Sequence, residues 1–213
     1  MLVLNLRRKS RFDGSAMSKI IRLDRTGHLL VDGQRIEPSI THHSALAILV
    51  IDRSGSMAGA KTAYASAGAW DFSQVALQKG YKIASIDFAS GASITCQPSR
   101  NANEVRRGCF ANTLTGSTAM HEGLRLASSM QPKSGDTIVV VTDGAVDDPK
   151  STLSLGAKLK NSGVEILAIG TDDADKAFLS QLASRPDLAM KVASTELQKT
   201  ITDASRLLGM SRK

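Results

Sequence analysis

The stretch Ala45-Leu46-Ala47-Ile48-Leu49-Val50-Ile51-Asp52-Arg53-Ser54-Gly55-Ser56-Met57 decides the fold. Its apolar half shows no polar alternation, which suits a strand covered on both faces. Its polar half breaks off abruptly into short, oxygen-bearing side chains and a glycine. A buried strand that ends in such a loop belongs to a parallel sheet flanked by helices.

The residues that follow repeat the alternation. The spacing predicts a helix over 58–79, with Ala65, Ala69, Phe72 and Ala76 on one face and Gly80 as its stop. A strand is expected at 81–89, then an antiparallel hairpin partner at 92–96 after the Gly91 turn. A short helix at 101–107 and a helix at 118–130 precede a second fully apolar strand at 136–143. Asp148-Pro149 starts the next helix and Asn161-Ser162-Gly163 stops it. A strand at 164–170, a helix at 174–184, a short strand at 188–193 and a last helix at 195–208 complete the order. Ser194 is the expected N-cap of that helix, which carries Leu197, Ile201, Ala204 and Leu208 on one stripe. The fold class is therefore α/β: a Rossmann-like, doubly wound, mostly parallel sheet with helices on both faces. In such sheets ligands bind at the carboxyl ends of the strands.

Outward from this body lie two smaller segments. Residues 1–16 hold Arg7, Arg8, Lys9 and Arg11 against Asp13, and are expected to be a mobile basic tail. Met17 can serve as an alternative start. Residues 17–40 alternate around Asp24-Arg25-Thr26-Gly27 and Asp32-Gly33 and read as a small β meander. Residues 41–213 form the main domain.

Composition narrows the function. The 213 residues are 42% hydrophobic and 22% charged, as in a globular chain. No run of about 18 apolar residues offers a membrane span. Cys96 and Cys109 are too few for a disulfide scaffold and make no C-x-x-C knuckle; reduced thiols in a cytoplasmic protein are the expected reading. Of the net charge of +7, +3 sits in residues 1–16 and the rest is spread over the remaining chain, and one Trp, two Tyr and five Phe leave little for base stacking. Nucleic acid is the disfavoured partner, with the tail and meander as the place it would bind.

Three loops fall on one edge if the sheet is parallel. They are Asp52-x-Ser54-x-Ser56, Thr115-Gly116-Ser117-Thr118 and Thr142-Asp143-Gly144. Together they offer two carboxylates and the hydroxyls of Ser54, Ser56 and Thr118. Hard oxygen donors with few charges suit Mg²⁺ or Mn²⁺, whereas Zn²⁺ favours His or thiolate. Spacing by two points Ser54 and Ser56 the same way, with Gly55 turning the backbone between them. The hydroxyls leave an ion under-neutralised, with an appetite for one more anionic oxygen. Taken alone, Asp52-x-Ser-x-Ser is a helix cap; the other two loops are what raise it to a metal site.

These residues resemble the metal-ion-dependent adhesion site of the von Willebrand factor A domain. Asp52, Ser54 and Ser56 match its D-x-S-x-S. Thr118, in Gly116-Ser117-Thr118 where many members have Gly-Gly-Thr, matches its distant Thr, and Asp143 its distant Asp. The likeness covers about residues 45–208. It implies that Ser54, Ser56 and Thr118 hold the metal directly or through water, that Asp52 and Asp143 act largely through bound waters, and that a partner protein's Asp or Glu completes the set. It also implies one antiparallel edge strand, which 92–96 fits. Around the site, Arg53, Gly55, Met57, Ser117, His121 and Gly144 are expected to form the partner-binding rim. The remaining histidines, His28, His42 and His43, lie outside the motif loops. Asp147-Asp148 and Asp172-Asp173 read as helix starts.

The runs LVIDRSGSM, IGTDDADKAFLSQLAS and TELQKTITDASRLL are similar to the bacterial stand-alone members of the tellurium-resistance-associated TerY type. That likeness implies a cytoplasmic protein in a stress-response or conflict system, with a protein kinase or a PP2C-type phosphatase as partner. The expectation is not an enzyme. A haloacid-dehalogenase-like phosphatase needs a second carboxylate where Ser54 stands, a phospho-receiver wants an acidic pair with a Lys, and no P-loop is present.

Overall fold

Every residue of the strand Leu46–Asp52 is buried, because it lies in the middle of a sheet covered on both faces. A computed structural model describes residues 21–23, 29–31, 34–36, 45–112 and 114–209. The expected tail 1–16, the two turns of the meander and His28, His42 and His43 lie outside the described residues. The chain divides into two compact units, Met1–His43 and Ser44–Lys213.

In the first unit, β1 (Ile21–Leu23), β2 (Leu29–Val31) and β3 (Gln34–Ile36) pair antiparallel in the order β1-β2-β3. This is the meander that the turn signals announce.

The second unit alternates strands and helices. In chain order they are β4 (Leu46–Asp52), α1 (Ala60–Gln78), β5 (Lys82–Phe88), β6 (Ala92–Ser99), α2 (Ala102–Cys109), α3 (Met120–Ser129), β7 (Thr137–Thr142), α4 (Pro149–Asn161), β8 (Glu165–Thr171), α5 (Lys176–Leu182), β9 (Ala189–Val192) and α6 (Leu197–Ala204). The sheet order is β6-β5-β4-β7-β8-β9. All pairings are parallel except that of β6 with β5. The antiparallel strand is thus at the edge, as expected, but it runs on to Ser99 and carries register shifts against β5.

The helix faces read from spacing are the buried ones. Ala65, Ala69, Phe72 and Ala76 of α1 are fully buried, as are Leu197 and Ile201 of α6. Gly68 lets α6 approach α1: a Cβ there would lie 2.9 Å from the Gln198 carbonyl oxygen. The start of α6 differs from expectation. Ser194 opens a single 3-10 turn and makes no side-chain cap, so the α-helix proper begins three residues later. Asp148 does cap α4, accepting from the Ser151 amide at 2.9 Å.

The chain leaves β4 and β7 in opposite lateral directions. After β4 it goes to β5, and after β7 to β8. The crevice between those two departures is the topological switch point of the sheet. Asp52 and Asp143 stand at its two sides.

Candidate metal centre

The D-x-S-x-S loop is held from below by Asp52. Its side chain is fully buried, with Oδ1 accepting the Ser54 amide at 2.7 Å and Oδ2 the Thr142 hydroxyl at 2.6 Å. These two bonds fix the loop after β4 to the end of β7. Burial pushes the Asp52 carboxyl above its usual range; the hydrogen bonds from Ser54 and Thr142 pull it back, and the charge of Asp143 acts in the same direction as burial. A cation beside this carboxyl would favour its charged form.

The two serines and Asp143 form a chain of oxygens. The Ser56 hydroxyl donates to Asp143 Oδ1 at 2.7 Å. The Ser54 and Ser56 hydroxyls lie 3.1 Å apart. Since Ser56 has one proton and spends it on Asp143, Ser54 is the donor of that second bond. Lone pairs on both serine oxygens remain free to meet a hard cation.

Thr118 reaches the same edge by backbone clamping. Its amide donates to Asp147 Oδ2 at 3.0 Å, and its carbonyl accepts the Asp147 amide at 3.1 Å. Its loop is tied to the first motif by Gly55, whose amide donates to the Gly116 carbonyl at 3.0 Å. Gly116 has φ +125°, and a Cβ there would fall 2.0 Å from Ser90 Oγ. Only glycine fits that position.

Lys61, near the start of α1, adds a cation to the edge. Its ammonium bonds to Asp143 Oδ2 and also to Asp172 Oδ2 at 2.9 Å. Both carboxylates hold the Lys61 ammonium above its ordinary range, Asp143 foremost, and Lys61 in turn pulls the Asp172 carboxyl down. The loop carrying Asp172 is fastened to that of Asp143, because the Asp173 amide donates to the Asp143 carbonyl at 3.1 Å. Asp172 itself sits at φ +47°.

Two rim residues are corrected. Arg53 is 2% exposed and points into the fold. Its Nη1 donates to Ser66 Oγ at 2.9 Å and its Nη2 to the Cys109 carbonyl at 3.0 Å. Its Nε lies 3.1 Å from Asp87 Oδ2, a fully buried ion pair. Burial pushes Asp87 up to about 6, against the pull of Arg53. Met57 is also fully buried, in the core. Alternation explains the first case: if Ser54 and Ser56 face the crevice, the residue between Asp52 and Ser54 faces away. Gly55 and Ser117 are exposed, and His121 and Gly144 half-buried, so these can take part in a rim. His121 Nε2 lies 3.6 Å from Glu122.

Sequence reasoning missed several supporting side chains. Thr142 precedes Asp143 in the quoted motif, yet it reads as part of an apolar strand. Asp147 and Asp172 read as helix starts, whereas the caps belong to Asp148 and Asp175. Nothing in the spacing singles out Lys61.

The donor set fits a hard divalent ion. Among the described residues no group of three or more His, Cys, Asp or Glu side chains is placed to hold a metal. The side-chain oxygens linked here are those of Asp52, Ser54, Ser56 and Asp143, hard donors that suit Mg²⁺ or Mn²⁺, with the Thr118 loop tied beside them through Gly116.

Comparisons with known proteins agree with this fold. The family model of the von Willebrand factor type A domain matches residues 48–204. Human collagen alpha-1(XX) chain is 36% identical over 78 residues, which is 35% of this chain and 6% of that protein. Human matrilin-1 is 43% identical over 58 residues, or 27% of this chain and 11% of that protein. The alignments thus span a small part of these relatives. Among solved structures, the vWF domain of the type V pili tip protein Mfa5 from Porphyromonas gingivalis has TM-score 0.71 at 14% identity, over 79% of this chain and 96% of that one. Proximal thread matrix protein 1 from the mussel byssus, with a zinc-occupied MIDAS motif, has TM-score 0.59 at 20% identity, over 76% of this chain and 45% of that one.

Proposed function

The chain belongs to the von Willebrand factor type A domain family, and from that premise we propose that it is a metal-dependent protein-interaction module, not an enzyme. The observation that carries the reading is the linked set Ser54–Ser56–Asp143, seated on Asp52 and opening at the switch point. Ser54, Ser56 and Thr118 would hold Mg²⁺ or Mn²⁺, with Asp52 and Asp143 supplying negative charge and orienting the hydroxyls. The ion, when bound, supplies Lewis acidity toward an anionic oxygen. The chain's own residues keep this acceptor site open: Asp52 and Thr142 fix the loop, and Gly55 with Gly116 holds the Thr118 loop beside it. An Asp or Glu of a partner protein is the oxygen donor that such a site selects, with Gly55, Ser117, His121 and Gly144 around it.

The likeness of three runs to the TerY type supports a cytoplasmic role in a bacterial stress-response system, with a kinase or PP2C-type phosphatase as that partner. No helix among the described residues is long and apolar enough to cross a membrane. The zinc-occupied motif of the mussel protein makes Zn²⁺ the comparison ion in any metal titration.

The test is capture from native lysate with wild type and Asp52→Ala, each in Mg²⁺ and in EDTA. A partner retained by wild type in Mg²⁺ alone supports the reading. Capture indifferent to both changes overturns it and moves attention to the basic N-terminal region.

A further inference from the structure

Lys61 is the odd member of the metal edge. A fixed ammonium beside a cation site is electrostatically costly, and yet it is bonded to Asp143, one of the carboxylates of that site. Its second carboxylate, Asp172, stands on a different loop and makes no contact with the motif serines among the hydrogen bonds described. The Lys61 side chain is 24% exposed on a flexible four-carbon stem, and its ammonium bridges the two carboxylates. Asp172 is held ready by its own backbone: its φ of +47° and the Asp173-to-Asp143 bond keep the loop against the site.

On the premise that Asp52, Ser54, Ser56, Thr118 and Asp143 hold a divalent ion, we propose that Lys61 is an affinity-setting counter-ion that competes for Asp143, and that Asp172 is the parking carboxylate that draws it aside. With Lys61 on Asp143, the negative charge offered to a divalent ion is largely cancelled, and the Ser56 hydroxyl is left as the main link to that carboxylate. With Lys61 on Asp172, Asp143 recovers its full charge. Metal affinity is then set by the balance between two carboxylates for one ammonium. Asp172 acts through Lys61, as a positioning residue, and does not itself hold the metal.

The experiment is calorimetric titration of the full chain with Mn²⁺, using wild type, Lys61→Met, Lys61→Arg, Asp172→Asn and Lys61→Met/Asp172→Asn. Asp52→Ala serves as the metal-site control, and a thermal melt of each protein confirms folding. Lys61→Met keeps the apolar stem and is expected to tighten Mn²⁺ binding by about tenfold. Lys61→Arg keeps the charge and stays within about threefold of wild type. Asp172→Asn removes the parking site and weakens binding by about threefold or more. In the double variant the Asp172 effect disappears, leaving the affinity of Lys61→Met.

If wild type binds Mn²⁺ and Asp52→Ala does not, but Lys61→Met leaves the affinity unchanged or weaker, the counter-ion role is overturned and the metal site stands. If Asp172→Asn weakens binding equally with and without Lys61, Asp172 acts by its own charge and the parking role is overturned. If wild type itself binds no Mn²⁺, the metal-site premise fails, a result that the other variants cannot mimic.

Discussion

The hydroxyl of Ser56 donates to Asp143 across 87 residues of chain, at 2.7 Å, and that one bond joins the loop after β4 to the loop after β7. It brings the last residue of the D-x-S-x-S run against the carboxylate of the T-D-G turn. The two meet because β4 and β7 are adjacent parallel strands whose chains depart in opposite directions.

Ser56→Ala removes that link while leaving the fold intact. Ser56 is exposed and its loss creates no buried cavity. Chemical denaturation should show a change within about 1 kcal/mol. Mn²⁺ affinity by calorimetry should fall by about tenfold or more, since a proposed ligand and its hydrogen bond to Asp143 are lost together. Unchanged affinity would remove Ser56 from the metal set.

Gly116→Ala strains the junction between the Thr118 loop and the D-x-S-x-S loop. The added methyl meets Ser90 Oγ, and the φ of +125° is one that alanine adopts poorly. The expected cost is about 1–3 kcal/mol in urea denaturation. Ser90→Gly in the same chain relieves the contact but not the backbone strain, so it should restore only part of the stability. Full restoration would show that the conformation, unlike the contact, costs nothing.

Asp87 gives the fold a pH signature. Its carboxyl is raised to about 6 because burial outweighs the pull of Arg53. A raised carboxyl binds its proton more tightly folded than unfolded. Its contribution to stability is therefore greatest at low pH and is lost as pH rises from about 4 through about 6. The stability of wild type relative to Asp87→Asn should fall over that window, by an amount on the order of 2–3 kcal/mol. Arg53→Met removes the opposing charge and should move the Asp87 titration, followed by carboxyl carbon NMR, above about 6. A downward move would contradict the pairing.

Both thiols should be silent in the native protein. Cys96 and Cys109 are free and buried. Burial pushes the Cys109 thiol up to about 11 and raises that of Cys96 as well. Reaction with a disulfide reagent needs the thiolate and access to it. Native protein should therefore react only as fast as it opens, and the rate should rise with urea in step with unfolding. A fast native phase would show one thiol to be accessible.

Much of this was legible in the residues because buried parallel strands are written as unbroken apolar runs. Residues 45–52 and 136–143 announced the two strands that flank the switch point, and the polar residues at their ends announced the site. The rim was less legible. Arg53 reads as a surface charge until strand-like alternation is applied to the loop, which sends it inward to Asp87, Ser66 and the end of α2. Lys61 was invisible, and Asp172 read only as a helix start, because their pairing joins the first turn of α1 to the loop after β8, which only the sheet order brings together. The Ser194 cap failed because a 3-10 turn intervenes before α6, a difference in helix pitch that composition does not encode.

The position of β4 has a consequence for time. It lies inside the sheet, bonded to β5 on one side and β7 on the other, with every side chain buried. Its amides are those that exchange with deuterium only when the whole domain opens. Asp52 is the last residue of that strand. The base of the proposed metal site therefore persists for as long as the native state does, and its survival is measured by the unfolding rate and not by the motions of a loop.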